Sequence, residues 1–275
     1  MSKNEERAFT DEFRETWSQI MNCLLYPHSW VRLSAVRLVN QLINNSDKLG
    51  TPLTDYEVQT IAYKLFRLLG APNLPENLSS VAVKTLLVII MRWNENKTPY
   101  IDSTEENSAF KYADAIDFAI GRTGWIIRSE DNPNDSFNSK KAAIQLAALI
   151  IQVLSSERLS KDADKFIMPL YMYLEPNTYG LDEDQQELHN LGSECIKILE
   201  SKISVSDYTA AYARVKQQVM QRRQERKAKR AVLAVRAPEV ASNKKLRKHA
   251  RSREKRKHEK DENGFYQRKN KKRRN

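Results

Sequence analysis

The chain is poor in the residues that several protein classes require. Its 275 residues include two cysteines, Cys23 and Cys195, and seven glycines. Two cysteines, each inside an apolar helical stretch, exclude a disulfide framework and predict buried thiols in a reducing compartment. No run approaches the roughly 18 apolar residues of a membrane span, and the polar, acidic start carries no hydrophobic signal region. We therefore expect an intracellular protein without membrane contact.

Groups that could perform catalysis are equally sparse. The scarce glycines form no phosphate-binding loop. The four histidines are dispersed along the chain, and none has a cysteine at zinc-binding spacing. Acidic residues 182–184 are better explained as the first turn of a helix, where carboxylates favour the positive dipole end, than as a metal cluster. We predict a protein that is not an enzyme, with no catalytic residue, metal, cofactor or small-molecule ligand. The histidines are His28, His189, His249 and His258.

Charge divides the chain into two parts. Residues 211–275 hold 25 Lys and Arg against 6 Asp and Glu, a net charge of +19. Residues 1–210 hold 21 against 29, a net charge of −8, and the two parts sum to the overall +11. A cationic tail on an acidic body predicts an anionic polymer as the partner of the tail, because lysine and arginine displace the counterions condensed on phosphates. Membrane phosphates and an acidic protein are the alternatives.

Apolar residues recur at helical spacing throughout the acidic part. One predicted helix begins after a Thr54 cap and carries Val58, Ile61, Leu65, Leu68 and Leu69, and the segment VAVKTLLVIIMRW is apolar on most faces. Residues 109–128 form a helix or two, since Gly121 and Gly124 mark a point where a helix could break.

The helices recur in pairs of roughly 40–47 residues, the period of HEAT and armadillo repeats. The predicted fold class is therefore all-α: a HEAT/armadillo-like α-solenoid of antiparallel helix pairs, followed by a long basic helical, partly disordered C-terminal tail. Pro169 inside an apolar helix and the stretch HSWVRLSAVRLV are similar to HEAT repeats. A non-repetitive helical bundle is the alternative. The aromatic start at Phe9, Phe13 and Trp17 either packs on the second helix or requires an upstream repeat.

Three segments follow from this pattern: an α-solenoid over 1–205, a projecting basic helix over 206–236 and a basic tail over 237–275. In the basic helix, Tyr208, Tyr212, Val215 and Val219 share one face, and the same stripe continues onto arginines, so we expect cations to surround a helix that leaves the core near Met220. The tail has too few large apolar residues to fold alone, and we expect it to be disordered, or helical when it binds RNA.

Three uses of the tail compete. It could fold back on the body, serve only as a nuclear import signal, or bind RNA as an arginine-rich segment that orders on contact. Since one basic cluster is enough for import and at least three are present, we favour RNA binding, with phosphate contacts dominating over base stacking because aromatics are rare among the cations. The import cluster is Lys271, Lys272, Arg273 and Arg274. The predicted RNA-binding residues are Arg222, Arg223, Arg226, Lys227, Lys229, Arg230, Lys244, Lys245, Arg247, Lys248, Arg251, Arg253, Lys255, Arg256 and Lys257.

Two stretches resemble a known family. They are RRQERKAKRAVLAVRAPEVASNKKLRKHARSREKRKHEK in the tail and LLYPHSWVRLSAVRLV near the start. Both are similar to the U three small nucleolar RNA-associated protein 20 family, also called down-regulated-in-metastasis, whose members are long α-solenoids of the small-subunit processome. The resemblance implies a C-terminal piece of such a solenoid, or an unusually short relative.

The resemblance also implies a function and a location. The expected role is a non-enzymatic scaffold for maturation of small-subunit ribosomal RNA in the nucleus and nucleolus. The expected partners are pre-ribosomal RNA, small nucleolar ribonucleoprotein components and other processome proteins along the solenoid. The alternative is a HEAT-type protein–protein adaptor whose basic tail serves only as a nuclear import signal.

Overall fold

The predicted helical fold is confirmed by a computed structural model of the chain. The structure describes residues 16–45, 53–101, 112–129, 137–174, 182–240, 242–243 and 245–254. Every regular element within these ranges is a helix. Phe9 and Phe13 lie outside the described residues, whereas Trp17 is buried. Of the two thiols that were predicted to be buried, Cys195 is buried and Cys23 is half-buried.

The helices follow one another with short connections, apart from the gaps between the described ranges. We label the helical residues 16–23 as α1. The further helices are α2 (Ser29–Asn45), α3 (Asp55–Leu69), α4 (Glu76–Asn96), α5 (Ala115–Arg128), α6 (Phe137–Val153), α7 (Ser156–Leu170), α8 (Glu183–Lys202) and α9 (Val205–Arg236), with a 3₁₀ turn at Tyr171–Tyr173.

Helices α2 to α8 pack in two rows. The even row runs α2, α4, α6 and α8, each helix packing on the next, and the odd row runs α3, α5 and α7 in the same way. Sequential pairs α3–α4, α5–α6 and α7–α8 bridge the rows. This alternation is the arrangement of an α-solenoid, in which each pair buries its apolar face against the next pair.

The α3 helix illustrates how the sequence sets these elements. Thr54 caps its N-terminus: the hydroxyl accepts from the Glu57 backbone N–H at 3.3 Å, and the Glu57 carboxylate accepts from the Thr54 N–H at 2.8 Å. This is a capping box, which satisfies two backbone donors that would otherwise lack partners. The five predicted core residues of α3 are all buried. Burial of each large apolar side chain stabilises the fold by about 1.5–3 kcal/mol. The predicted cap and stripe are confirmed.

Two glycines in α5 allow close packing rather than a break. Residues Ala115–Arg128 form one continuous helix, so of the one or two helices expected here the structure has one, and it does not break at Gly121 or Gly124. A Cβ at Gly121 would lie 2.7 Å from the Tyr112 ring, and one at Gly124 would lie 3.3 Å from Cγ of Pro169, inside α7. The glycines are thus positions where another chain segment approaches the helix backbone.

Arg158 joins the start of α5 to α7 through three carboxylates. Its guanidinium lies 2.7 Å from Asp114 and 3.0 Å from Asp117, and its Nε donates to Asp162 within α7. Lys165 adds contacts of 2.6 Å to Asp117 and 2.8 Å to Asp162. The effect of burial alone is to raise the pKa of Asp114. The hydrogen bonds from Arg158 and the Asp117 N–H, together with the charge of Arg158, have the larger effect, so the pKa of Asp114 lies below its ordinary value. The network holds neighbouring odd-row helices in register.

The chain divides into two units, Met1–Val215 and Lys216–Asn275. Within the first unit, the start of α9 extends the odd row: the Tyr212 ring lies 5.8 Å from that of Tyr171, and the Ser160 hydroxyl donates to Asp207 at 2.9 Å. Among the described helices, none is both long enough and apolar enough to cross a bilayer.

Candidate nucleic-acid interface

Helix α9 changes character along its length. It is continuous from Val205 to Arg236, and its buried residues, Ala211 and Val215, both lie in the first third. Tyr208 and Tyr212 are half-buried beside them. From Lys216 onward nearly every residue is exposed, although glutamine, arginine, lysine and alanine sustain the helix by propensity.

Six of the predicted RNA-binding residues lie on this exposed part. Rather than surrounding the helix, they occupy one side of it, since at about 100° per residue their positions fall within an arc of about 160°. The arc lies over the line that Tyr208, Ala211, Tyr212 and Val215 follow about two to four turns before Arg222. All six side chains are exposed: Arg222, Arg223, Arg226, Lys227, Lys229 and Arg230.

Few carboxylates oppose these cations. Glu225 lies among them and accepts a hydrogen bond from Gln221 at 3.0 Å, while the Arg226 Nε donates to the Arg222 carbonyl oxygen at 3.3 Å. Among the described residues, Arg222, Lys227, Lys229 and Arg230 form no ion pair. We call the side of α9 that all six cations share the α9 cationic face; all six side chains are exposed to solvent.

A second group of cations follows the end of α9. The Ala237 N–H donates to the Leu233 carbonyl at 2.9 Å, and the helix stops before Pro238, whose ring prevents continuation. Residues 238–240, 242–243 and 245–254 are again helical. At about 100° per residue, the cations of the last range spread over about 240° of the helix, so they do not select one side. They are Lys245, Arg247, Lys248, Arg251 and Arg253, all exposed.

The remaining predicted tail residues lie outside the described part of the chain. They comprise four from the RNA-binding set and the whole import cluster: Lys244, Lys255, Arg256, Lys257, Lys271, Lys272, Arg273 and Arg274.

The acids at the start of α8 have a structural role. Asp182 is the N-cap and accepts from the Gln185 N–H at 2.8 Å, while Glu183 and Asp184 occupy the first turn. His28 is exposed, and His189 is half-buried. Within the described ranges, no group of three or more histidine, cysteine, aspartate or glutamate residues is arranged to hold a metal ion.

Comparison with known proteins identifies the family. Residues 1–262 match the family model described as small subunit processome component 20 homolog, C-terminal. The chain is 53% identical over 274 residues to U3 small nucleolar RNA-associated protein 20 of Saccharomyces cerevisiae, a match that covers 98% of the chain and 11% of that relative. It is 30% identical over 250 residues to the protein of the same name from Schizosaccharomyces pombe, covering 87% of the chain and 9% of the relative.

The chain therefore spans about a tenth of the length of these curated relatives. The resemblance predicted from the two sequence stretches is confirmed over nearly the whole chain. It follows that this chain belongs to the family of small subunit processome component 20 homologs.

Proposed function

We propose that this chain is a non-enzymatic scaffold of the small-subunit processome that contacts pre-ribosomal RNA through its basic C-terminal region. The observation that carries the proposal is the α9 cationic face, a set of six exposed cations on one side of a single helix. The name of the relatives, U3 small nucleolar RNA-associated protein 20, supports RNA as the anion and ribosome biogenesis as the setting.

The geometry of the face suits a nucleic-acid backbone. Residues 222–230 rise about 12 Å along the helix axis, so the face offers several cations to successive phosphates at once. Such contacts release counterions and position the protein without reading base sequence. The second basic group, residues 245–253, presents cations around its helix and suits a cleft with phosphates on more than one side. No aromatic residue lies among either group, which leaves base stacking a minor role.

The solenoid has a different part in the proposal. Its two rows offer extended helix surfaces on which other processome proteins and small nucleolar ribonucleoprotein components would bind. The same basic clusters would direct nuclear import, with Lys271 to Arg274 as the import signal, and the chain would reside in the nucleus and nucleolus. In the competing adaptor hypothesis, the solenoid binds proteins and the tail provides import alone.

Crosslinking in cells tests the proposal. The intact chain is compared with a chain ending after Met220 and with a full-length variant in which all six cations of the α9 cationic face become glutamine. Both variants carry an unrelated import signal, so that location is constant, and both retain Ala211 and Val215, so the buried part of α9 is unchanged.

Loss of crosslinks to precursor ribosomal RNA in both variants would support the proposal. Equal crosslinking in all three chains would move the RNA contact onto the solenoid. Absence of RNA crosslinks even for the intact chain would favour the adaptor hypothesis, since the tail would then act only in import.

A further inference from the structure

A groove between α3 and α5 places two arginines beside exposed aromatic rings. Its cavity has a volume of about 280 Å³ and is lined by Tyr63, Arg67, Arg122 and Trp125, with Gly70 at the end of α3. Typical small-molecule sites enclose about 300–1,000 Å³, so this space suits one or two side chains of a partner better than a cofactor. We call it the Arg122 groove. Neither periodicity nor composition singled it out, because its residues come from two helices.

Arg122 is held in place but keeps an unused donor. Its guanidinium carbon lies 5.1 Å from the centre of the Tyr63 ring and 5.6 Å from that of Phe118, within the range of cation–π attraction. Its Nε is buried and has no hydrogen-bond partner among the described residues. The two rings hold the guanidinium in place, so little side-chain entropy remains to be lost when its terminal N–H groups bind an acceptor.

The second arginine makes the groove locally cationic. Arg67 is exposed at the last turn of α3 and forms no ion pair with any residue that the structure describes. Burial and the charge of Arg67 together lower the pKa of Lys64, one turn earlier. Elsewhere in the same unit, Arg158 and Lys141 each contact at least two carboxylates. The groove thus brings together two arginines that have no ion pair among the described residues.

The apolar part of the groove is unusually accessible. Tyr63 is 41% exposed and Trp125 is 54% exposed, although both flank a buried core. Gly70 keeps the space open, since a Cβ there would lie 3.5 Å from the Trp125 ring. An exposed tryptophan beside arginine is a combination enriched at the centres of protein interfaces.

We propose that the Arg122 groove binds a linear acidic peptide segment of a partner protein. An aspartate or glutamate carboxylate accepts hydrogen bonds from Arg122 and Arg67, and a neighbouring large apolar side chain lies against Trp125. Two cations beside apolar rings match one or two carboxylates, whereas an extended nucleic acid presents closely spaced phosphates along its length and calls for a longer row of cations than two. This site is additional to the RNA contact proposed above and does not depend on it.

Fluorescence polarisation with the full chain tests the site. The probe is a labelled peptide that alternates aspartate with phenylalanine and leucine; its companions are the same peptide with asparagine for aspartate and a single-stranded oligouridine. The groove variant is Arg67→Gln with Arg122→Gln. Its matched control, Arg37→Gln with Lys197→Gln, removes two exposed charges from α2 and α8 and so reports attraction to net charge alone.

A second variant protects the test against misfolding. Gly70→Leu fills the groove but keeps both arginines, and φ of −82° at Gly70 accepts any residue without strain. We expect the groove variant and Gly70→Leu each to weaken binding of the acidic peptide by about tenfold or more relative to the matched control. The asparagine peptide should bind all chains equally weakly.

Equal loss in the groove variant and the matched control would overturn the proposal, because the peptide would then be responding to overall charge. Unchanged peptide binding in the groove variant would also overturn the proposal, and loss of oligouridine binding in that variant would point to a nucleotide site instead. Circular dichroism melting of each variant confirms that the comparison is made between folded chains.

Discussion

The cations that join helices of the first unit and the cations on the exposed part of α9 have opposite surroundings. In Met1–Val215, Arg158 contacts three carboxylates, and Lys141 lies 3.2 Å from Glu76 and 2.9 Å from Glu187. In Lys216–Asn275, the α9 cationic face is exposed and nearly free of acids. The contrast shows that the role of an arginine depends on its neighbours: surrounded by carboxylates it stabilises the fold, and without them it is available to a partner.

The same contrast exists within one helix. Tyr208, Ala211, Tyr212 and Val215 pack within the first unit, and the line they follow continues onto Arg222 and its neighbours. The helix itself does not break there, because its backbone hydrogen bonds are local and its residues favour the helix throughout. Only the side chains change: burial is favourable for the apolar residues of the first part, whereas burial is costly for the charged residues that follow.

The largest expected effect comes from removing the α9 cationic face. Changing its six cations to glutamine should weaken binding to a bulged RNA hairpin roughly 10³-fold at about 150 mM salt, and should lower the slope of log affinity against log salt by about 4–5. Stability should change by less than about 0.5 kcal/mol, because the residues are exposed. Filter binding across a salt series, with urea unfolding alongside, measures both. An unchanged slope would show that these residues do not contact phosphates.

The opposite pattern is expected for Arg158. Arg158→Met leaves three carboxylates without their guanidinium, one of them on the buried Asp162, and should destabilise the chain by about 2–4 kcal/mol without changing RNA affinity. The control is Lys161→Met. Lys161 pairs with Glu157, and the two side chains are 70% and 83% exposed, respectively, so losing this pair should lower the free energy of unfolding by less than about 0.5 kcal/mol. Urea denaturation gives both values. Similar losses for the two variants would mean that the Arg158 network is no stronger than a surface pair.

A smaller effect tests whether the arrangement of cations matters beyond their number. Exchanging Arg222 with Gln221 and Lys229 with Ala228 preserves composition and charge but moves two cations to the opposite side of α9. RNA affinity should fall by about tenfold, the loss expected for two phosphate contacts. The parent chain at matched salt is the reference. Equal affinities would show that the RNA responds to charge and not to the cationic face.

The smallest effect concerns pH. Because the pKa of Asp114 is lowered in the folded chain, its carboxylate contributes stability that is complete above its unfolded pKa and is lost as pH falls through the folded pKa. The stability difference between the parent chain and Arg158→Met should therefore shrink as pH is lowered through and below about 4. Urea unfolding of both chains at a series of pH values measures this difference in the free energy of unfolding. A difference that grows toward acid would contradict the assigned direction.

The fold was largely accessible from sequence, because helix signals are local. The capping box at Thr54 and Glu57 and the buried stripe of α3 each depend on residues within a few turns. The packing role of Gly124 was not accessible, because its neighbour comes from another helix: Gly124 meets Pro169, 45 positions later. Spacing reveals that a helix has an inner face but not which atoms of another helix reach it.

The candidate sites show the same limit. Composition alone identified the basic region, since a net charge of +19 needs no tertiary information. The confinement of six cations to one side of α9 needs a helix continuous through Arg230. The Arg122 groove was missed entirely, because Tyr63 and Arg122 are 59 positions apart and only the register of α3 against α5 brings their side chains together.

The two thiols differ in burial, and this difference can be used to measure local opening of the solenoid. Burial raises the pKa of the Cys195 thiol to about 12, so almost no thiolate forms at neutral pH while α8 stays packed. A maleimide dye would therefore attach at half-buried Cys23 first, giving a singly labelled chain without mutagenesis. The rate of the slower alkylation, at Cys195, would then measure how often α8 opens. That rate reports the local stability of the last even-row helix in the native protein.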